Sequence, residues 1–167
     1  MIAVLGLGSN LGDKERSLRA AVGALDLVPG VRVLRASSVW VTEPWGYTDQ
    51  PPFYNAVVEV TSDLSPAALL GACLGIEAGL GRVRSFRNGP RVIDIDLLLY
   101  EGAVSDTPEL RLPHPGIRER DFVLLPLGEL YPDGEALGFS FAEARREAAA
   151  ASRAERTAID LLSAEGE

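Results

Sequence analysis

The chain has 167 residues, a formal net charge of −8, 47% apolar residues, one histidine and one cysteine. That length fits a single domain able to bury a sizeable core, and the acidic balance excludes a nucleic-acid-coating surface, which needs a basic patch. A lone Cys73 excludes an intramolecular disulfide or a cysteine-built zinc site and, with no apolar run near the ~20 residues of a membrane helix, points to the cytoplasm.

Met1 to Gly8 is a short apolar run without a basic leader or cleavage site, and Ile2–Leu7 reads as a buried strand ended by Gly8-Ser9-Asn10. A helix is expected from about Asp13, with Leu18, Val22 and Leu25 in helical phase and Pro29-Gly30 closing it. Val31 to Val41 reads as a second strand, Thr42 to Pro52 as a loop rich in Pro, Gly and aromatics, and Phe53 to Thr61 as a third strand. Ser65-Pro66 supplies an N-cap and first-turn pair for a helix that directs Leu69, Leu70, Cys73, Leu74, Ile76 and Leu80 to the core. A loop leads to a fourth strand, Val92 to Tyr100, with a turn at Glu101-Gly102. The order β-α-β-β-α-β predicts an α+β domain of ferredoxin-like type. Its antiparallel sheet would carry the helices on one face and leave the other free for ligands. Beyond it lie an extended Leu110–Pro115 segment and one or two short helices over Ile117–Leu130. Phe141 to Leu162 is an Ala-, Arg- and Glu-rich, helix-prone stretch. The predicted organisation is one domain, with a core of about 1–133 and C-terminal helical additions forming a tail of about 138–167. The residues alone do not decide whether that tail packs, pairs or frays.

The chemistry concentrates between Gly81 and Tyr100. Arg82, Arg84, Arg87 and Arg91 fall in an acid-free loop, although Lys14 is the only lysine and a general arginine bias explains the overall count. The guanidinium fork suits phosphate oxygens. The loop runs into a strand carrying Asp94 and Asp96, which project from one face about 7 Å apart. Aspartate is depleted in strands, and Val92, Leu98 and Tyr100 on the expected same face are not polar. Paired carboxylates beside phosphate-binding arginines fit magnesium, completed by phosphate oxygens and water. Gly6 to Gly12 matches neither the dinucleotide fingerprint nor the P-loop, since Leu11 stands at the third glycine and Asp13 follows Gly12. Gly8 is expected to permit a tight turn, with Asn10 bound to backbone or a polar ligand. Phe53 with Asn55 can stack on and hydrogen-bond a flat heteroaromatic ring, although a hydrophobic cluster under a loop explains the same residues. His114, between Pro113 and Pro115, is an unlikely core residue.

Together these motifs resemble the 6-hydroxymethyl-7,8-dihydropterin pyrophosphokinase family of folate biosynthesis. The resemblance rests on Gly8-Ser9-Asn10-Leu11, Thr42 through Gly46, Gln50-Pro51 with Phe53 and Asn55, Glu77, Gly81-Arg82-Val83-Arg84, Gly89 through Asp96, Pro113-His114-Pro115, and Arg120 through Leu124. It implies the ferredoxin-like fold and transfer of diphosphate from ATP to the pterin hydroxymethyl group, leaving AMP. Asp94 and Asp96 would bind two Mg2+ ions, while Arg82 and Arg91 would neutralise the transferring diphosphate, with Arg84 in the closing loop. Glu77, Leu97, Arg111, His114 and Arg120 would line the ATP site, Leu97 and Arg111 through backbone groups. Phe53 and Phe122 would sandwich the pterin, and Thr42, Pro44, Trp45 and Asn55 would read its edge. The implied partners are these two small molecules, with no nucleic acid and no membrane. A monomer is expected, with the tail as a candidate contact for other folate-pathway enzymes.

Five features depart from some relatives: Asn88 replaces a tryptophan, the arginine loop is one residue shorter, Glu109 replaces an arginine, Trp45 a leucine, and the tail has no clear counterpart. An RNA-recognition module shares the strand order but calls for aromatics on its first strand, absent here, and a basic domain. A small-molecule regulatory domain has no need of the arginine-plus-aspartate pairing. The enzyme alternative is another magnesium-dependent phosphoryl or nucleotidyl transferase, distinguished by pterin dependence.

Overall fold

A computed structural model of the chain describes residues 1–44, 46–82 and 86–163. Strand β1 (Ile2–Ser9) leads to helix α1 (Lys14–Leu27), whose first turn is capped by the Asp13 carboxylate accepting from the Arg16 amide at 3.1 Å. The predicted second strand is two strands, β2 (Val31–Ala36) and β3 (Ser38–Thr42), both antiparallel to β4 (Phe53–Ser62). Ser37 interrupts them without leaving polar groups idle. Its amide donates to the Val57 carbonyl at 2.8 Å and its hydroxyl accepts from the Val57 amide at 2.9 Å. Helix α2 (Pro66–Gly79) starts at the expected Ser65 cap, and β5 (Asp94–Tyr100) completes the β-α-β-β-α-β plan. Strand order is β3-β4-β1-β5, all antiparallel, with β2 also on β4. That is the ferredoxin-like arrangement expected from the sequence.

Side-chain alternation divides the sheet into two faces. Ala3, Leu5, Leu7, Ala56, Val58, Val60, Ile95 and Leu97 pack with Leu18, Val22 and Leu25 of α1 and with Leu69 and Cys73 of α2. Burial pushes the Cys73 thiol up to about 12, with help from Glu77 and Asp96, so it remains a neutral core group. The opposite face is not free, as the sequence implied. Helix α3 (Asp121–Leu130), preceded by a 3-10 turn (Ile117–Glu119), covers one end of it, packing Val123, Leu124 and Leu127 on Val4, Val57, Leu98 and Leu99. Helices therefore lie on both faces, because the apolar α3 must bury against the sheet end where Val4 and Val57 point out. A second correction concerns β5: the register on β1 shifts between Val4 and Leu5, which pair with Leu99 and Leu97. This bulge at Leu98 returns Tyr100 to the core face, so Tyr100 does not share a face with Asp94 and Asp96.

The hairpins β6 (Ser105–Asp106) with β7 (Arg111–Leu112), and β8 (Glu135–Ala136) with β9 (Phe139–Ser140), precede helix α4 (Ala142–Ala151). The expected helical tail is corrected beyond that point. Residues 155–160 form strand β10 (Glu155–Asp160), antiparallel to the edge of β3, with Ile159 and Leu161 joining the core of the α1 side. Half-buried Thr157 and Ile159 alternate with exposed Arg156, Ala158 and Asp160, and a strand satisfies that period where a helix would not. Among the described residues no helix is long and apolar enough to cross a membrane.

The covered end of the sheet is pinned by a polar cluster. Arg35 donates twice to the Glu59 carboxylate (2.8 and 3.2 Å) and once to the Leu130 carbonyl (3.0 Å), and the Tyr131 hydroxyl donates to Glu59. Burial alone would raise the Glu59 pKa, but the hydrogen bonds from Arg35 and Tyr131 hold it below the usual range. Its stabilisation is therefore full above the ordinary glutamate range near 4.5 and is lost as pH falls through the depressed value. Glu59→Ala is expected to cost about 2–3 kcal/mol, read from urea unfolding at pH 7. The difference from the parent should shrink at acid pH.

Candidate active site

At the uncovered end of the second face the sheet supplies a floor with carboxylates at one side and aromatics at the other. Register places Asn55 of β4, Gly8 of β1 and Asp94 of β5 in one row, and Val57, Gly6 and Asp96 in the next. Neighbouring strands lie about 4.8 Å apart, so Asn55 and Asp94 flank a gap of about 10 Å floored by glycine. A Cβ at Gly8 would stand 2.9 Å from Asn55 Oδ1, and one at Gly6 3.3 Å from Leu98 Cδ1. Gly8 is thus a strand glycine that keeps the floor bare. The positive-φ residue of the following turn is Gly12 (φ 68°), contrary to the turn role expected for Gly8.

Asn10 makes the turn a scaffold. Buried, it donates through Nδ2 to Gln50 Oε1 (2.9 Å) and the Pro51 carbonyl (3.0 Å), and its Oδ1 accepts from the Arg91 amide (2.9 Å). The Asn10 amide donates in turn to the Arg91 carbonyl at 3.1 Å. Arg91 is thereby fixed at the entrance of β5. Gln50 Nε2 reaches the Asn88 carbonyl at 2.7 Å, tying the aromatic loop to the arginine loop.

Charge is concentrated around Asp94. Arg82 Nη1 donates to Asp94 Oδ1 at 2.5 Å and to Glu77 Oε2, and Arg91 Nη1 donates to Asp94 Oδ2 at 3.1 Å. Buried Glu77 also accepts from the Ile95 amide at 3.3 Å. Burial and then Asp94 raise the Glu77 pKa, with Arg82 opposing. Burial disfavours the Arg82 cation, but Asp94 and Glu77 outweigh it and leave its pKa raised. Among the described residues, Asp96 has Arg120 Nη1 at 4.0 Å as its one salt-bridge partner. Burial first, then repulsion from Asp94, push its carboxyl up to about 7. Two adjacent carboxylates held in one enclosed place call for a cation. Among the described residues no group of three or more His, Cys, Asp or Glu forms a metal cage. A pair of carboxylates open to substrate and water oxygens is the donor set magnesium favours.

A cleft of about 790 Å³ opens above this floor. It is lined by Thr42, Phe53, Asn55, Glu77, Arg82, Arg91, Asp94, Asp96, Leu97, Arg111, His114, Arg120 and Phe122, so the structure gathers thirteen of the sequence-selected residues around one space. Pro44 is not on its wall, and Trp45 and Arg84 lie outside the described residues. Phe53 carries the Arg91 guanidinium 5.4 Å from its ring centre, and Phe122 that of Arg120 at 5.7 Å. Burial and then Arg120 lower the His114 pKa, and His114 Nδ1 accepts from the Gly116 amide at 3.2 Å, so a neutral imidazole faces the cleft. Leu70 and Leu74 were expected in the core but also line the cleft, Leu74 being 43% exposed. With Glu77 they stand at i, i+4 and i+7, one helical stripe, a signal present in the sequence. Phe86, Arg87 and Glu109 also line the wall.

Fold and cleft together define a class: a ferredoxin-like transferase acting on phosphorylated substrates. The comparisons carry this further. A family model described as 7,8-dihydro-6-hydroxymethylpterin-pyrophosphokinase (HPPK) matches residues 4–132. A 2-amino-4-hydroxy-6-hydroxymethyldihydropteridine pyrophosphokinase of Methylorubrum extorquens is 56% identical over 131 residues, 78% of this chain and 83% of the relative. The Bacillus subtilis protein of the same name is 46% identical, over 77% of each. Among solved structures, an HPPK-DHPS in complex with substrates superposes with a TM-score of 0.65 at 15% identity, covering 87% of this chain and 43% of that one. That last likeness shows the fold. The chain belongs to the 7,8-dihydro-6-hydroxymethylpterin-pyrophosphokinase family, and its activity is that of an ATP-dependent pterin pyrophosphokinase of folate biosynthesis.

Proposed function

We propose that the cleft holds ATP and 6-hydroxymethyl-7,8-dihydropterin side by side across the glycine floor, with Asp94 and Asp96 facing their junction. The observation that carries this reading is the row Asn55–Gly8–Asp94, which sets a ring-reading amide opposite a cation-binding carboxylate across a bare gap. Phe53 and Phe122 stack on the pterin, while Thr42 and Asn55 read its edge with Pro44 and Trp45 from the adjoining loop. The Asn55 amide already donates to Thr42 Oγ1 at 2.6 Å, which turns Asn55 Oδ1 toward the floor and a ring donor. Glu77, Leu97, Arg111, His114 and Arg120 enclose the ATP, with Leu70 and Leu74 as the apolar wall for its base.

Two Mg2+ ions on Asp94 and Asp96 would neutralise the triphosphate and orient the acceptor oxygen. The chain's own groups do the rest. Arg91, fixed by Asn10 and Phe53, holds the transferring diphosphate, and Arg82 and Arg84 add charge to it. The acceptor hydroxyl oxygen bonds to the β-phosphorus and gives up its proton to solvent, while the bond from that phosphorus to the α–β bridging oxygen breaks and its electron pair leaves on the α-phosphate as AMP. Alignment and charge neutralisation supply the rate. We assign the chain to the cytoplasm as a monomer, with the exposed surface of its packed tail as the candidate contact for other folate-pathway enzymes.

The test is on the floor. Gly8→Ala is expected to raise the pterin KM by about tenfold or more, because its Cβ pushes on Asn55 Oδ1. Steady-state kinetics with each substrate varied in turn would show it. An unchanged pterin KM would contradict the placement of the ring over the floor.

A further inference from the structure

The family match ends at residue 132, but the chain continues through α4 and β10. The segment between them reaches the start of α3 beside one wall of the cleft, and β10 pairs with β3 beside the other. Ser152, the residue after α4, donates its hydroxyl to Asp121 Oδ2, and the other oxygen of that carboxylate accepts from the Phe122 amide at 2.8 Å. Asp121 sits between two cleft residues, Arg120 and Phe122, at the start of α3. Ala154 donates to the Ser152 hydroxyl at 3.0 Å, and the chain then enters β10.

On β10, Glu155 and Arg156 pair with Val41 and Trp40, and Thr157 Oγ1 donates to the Val39 carbonyl at 2.8 Å. Strand β3 has only three partners on β4, namely Trp40 with Asn55, Val41 with Tyr54 and Thr42 with Phe53. A strand so briefly paired on one side depends on its other edge. Thr42 is its last residue, and its Oγ1 accepts from Asn55 Nδ2 in the cleft wall. Arg156 also reaches Glu129 at 3.5 Å, and Glu129 accepts from the amide and hydroxyl of Ser38, both at 2.6 Å. Residues 152–157 thus link the start of α3 to the length of β3.

We propose that this segment is a positioning strap for the acceptor end of the cleft. It fixes the distance between Phe122 on α3 and Thr42 with Asn55 on β3 and β4. The inference rests on the assignment of those residues to the pterin. Apart from Arg120, which precedes Asp121, the ATP end is built from α2, β5 and residues 110–116, and among the described residues no hydrogen bond or ion pair joins these to residues 152–157.

The test uses the full chain and its Ser152→Ala, Thr157→Val and doubly substituted variants, with Ser152→Thr as the conservative control. Calorimetry measures a non-hydrolysable ATP analogue with magnesium, and then 6-hydroxymethyl-7,8-dihydropterin added to that complex. The double variant should bind the pterin about tenfold more weakly, as expected for two lost hydrogen bonds, one to a carboxylate. The analogue should bind within about twofold of the parent, and Ser152→Thr should bind the pterin like the parent. Unchanged pterin affinity overturns the strap. Parallel loss of both affinities also overturns it, since that is what general destabilisation produces. Failure of the unsubstituted chain to bind the pterin would overturn the functional reading itself, and is seen before any variant is compared.

Discussion

Asp96→Ala should abolish turnover, lowering kcat by roughly a thousandfold or more, about 4 kcal/mol of transition-state stabilisation. Of the two strand carboxylates, Asp96 is the less engaged by the protein. Asp94 is engaged by Arg82 and Arg91, whereas Asp96 has Arg120 at 4.0 Å and an environment that disfavours its charge. An acid whose folded-state pKa is raised weakens the fold once ionised. The metal-free alanine variant should therefore melt no lower than the parent at pH 7.5. Loss of activity with an unchanged or higher Tm separates a functional from a structural carboxylate. Near-normal kcat at saturating magnesium would remove Asp96 from the metal site.

Arg82→Ala should act on kcat far more than on affinity. Arg82 is committed to Glu77 and Asp94, so its full charge reaches a phosphate only when the cleft is loaded. An interaction realised late lowers kcat and kcat/KM together and leaves ground-state binding nearly intact. The expected loss in kcat is roughly a hundredfold, typical of one preorganised electrostatic group. Dissociation constants for both substrates should move by less than about threefold. Collapse of both affinities with kcat preserved would make Arg82 a binding residue only.

Asp94 and Asp96 were legible in the sequence because two acids at strand spacing violate composition rules for a strand, and the acid-free arginine loop beside them gave the violation a purpose. The helix caps at Asp13 and Ser65 were legible because they are local. What failed was non-local. The bulge at Leu98 depends on pairing with β1 and leaves no mark in β5 itself, so strict alternation along the sequence puts Tyr100 on the wrong face. The cover of α3 over half the second face depends on which sheet end presents Val4 and Val57. Helix α2 is apolar nearly all round, so its pattern did not separate the Leu69–Cys73 core edge from the Leu70–Leu74 cleft edge. In the tail, alanine-rich α4 lent its helical character to the following residues. The alternation of Thr157 and Ile159 is too short to outweigh it without the open edge of β3 in view.

The central claim is diphosphate transfer to a pterin within this cleft. The most direct measurement quantifies AMP and ADP formed from MgATP by the purified chain, with and without 6-hydroxymethyl-7,8-dihydropterin. AMP should form only when the pterin is present, in step with its consumption. ADP in place of AMP, or nucleotide turnover indifferent to the pterin, would contradict the account.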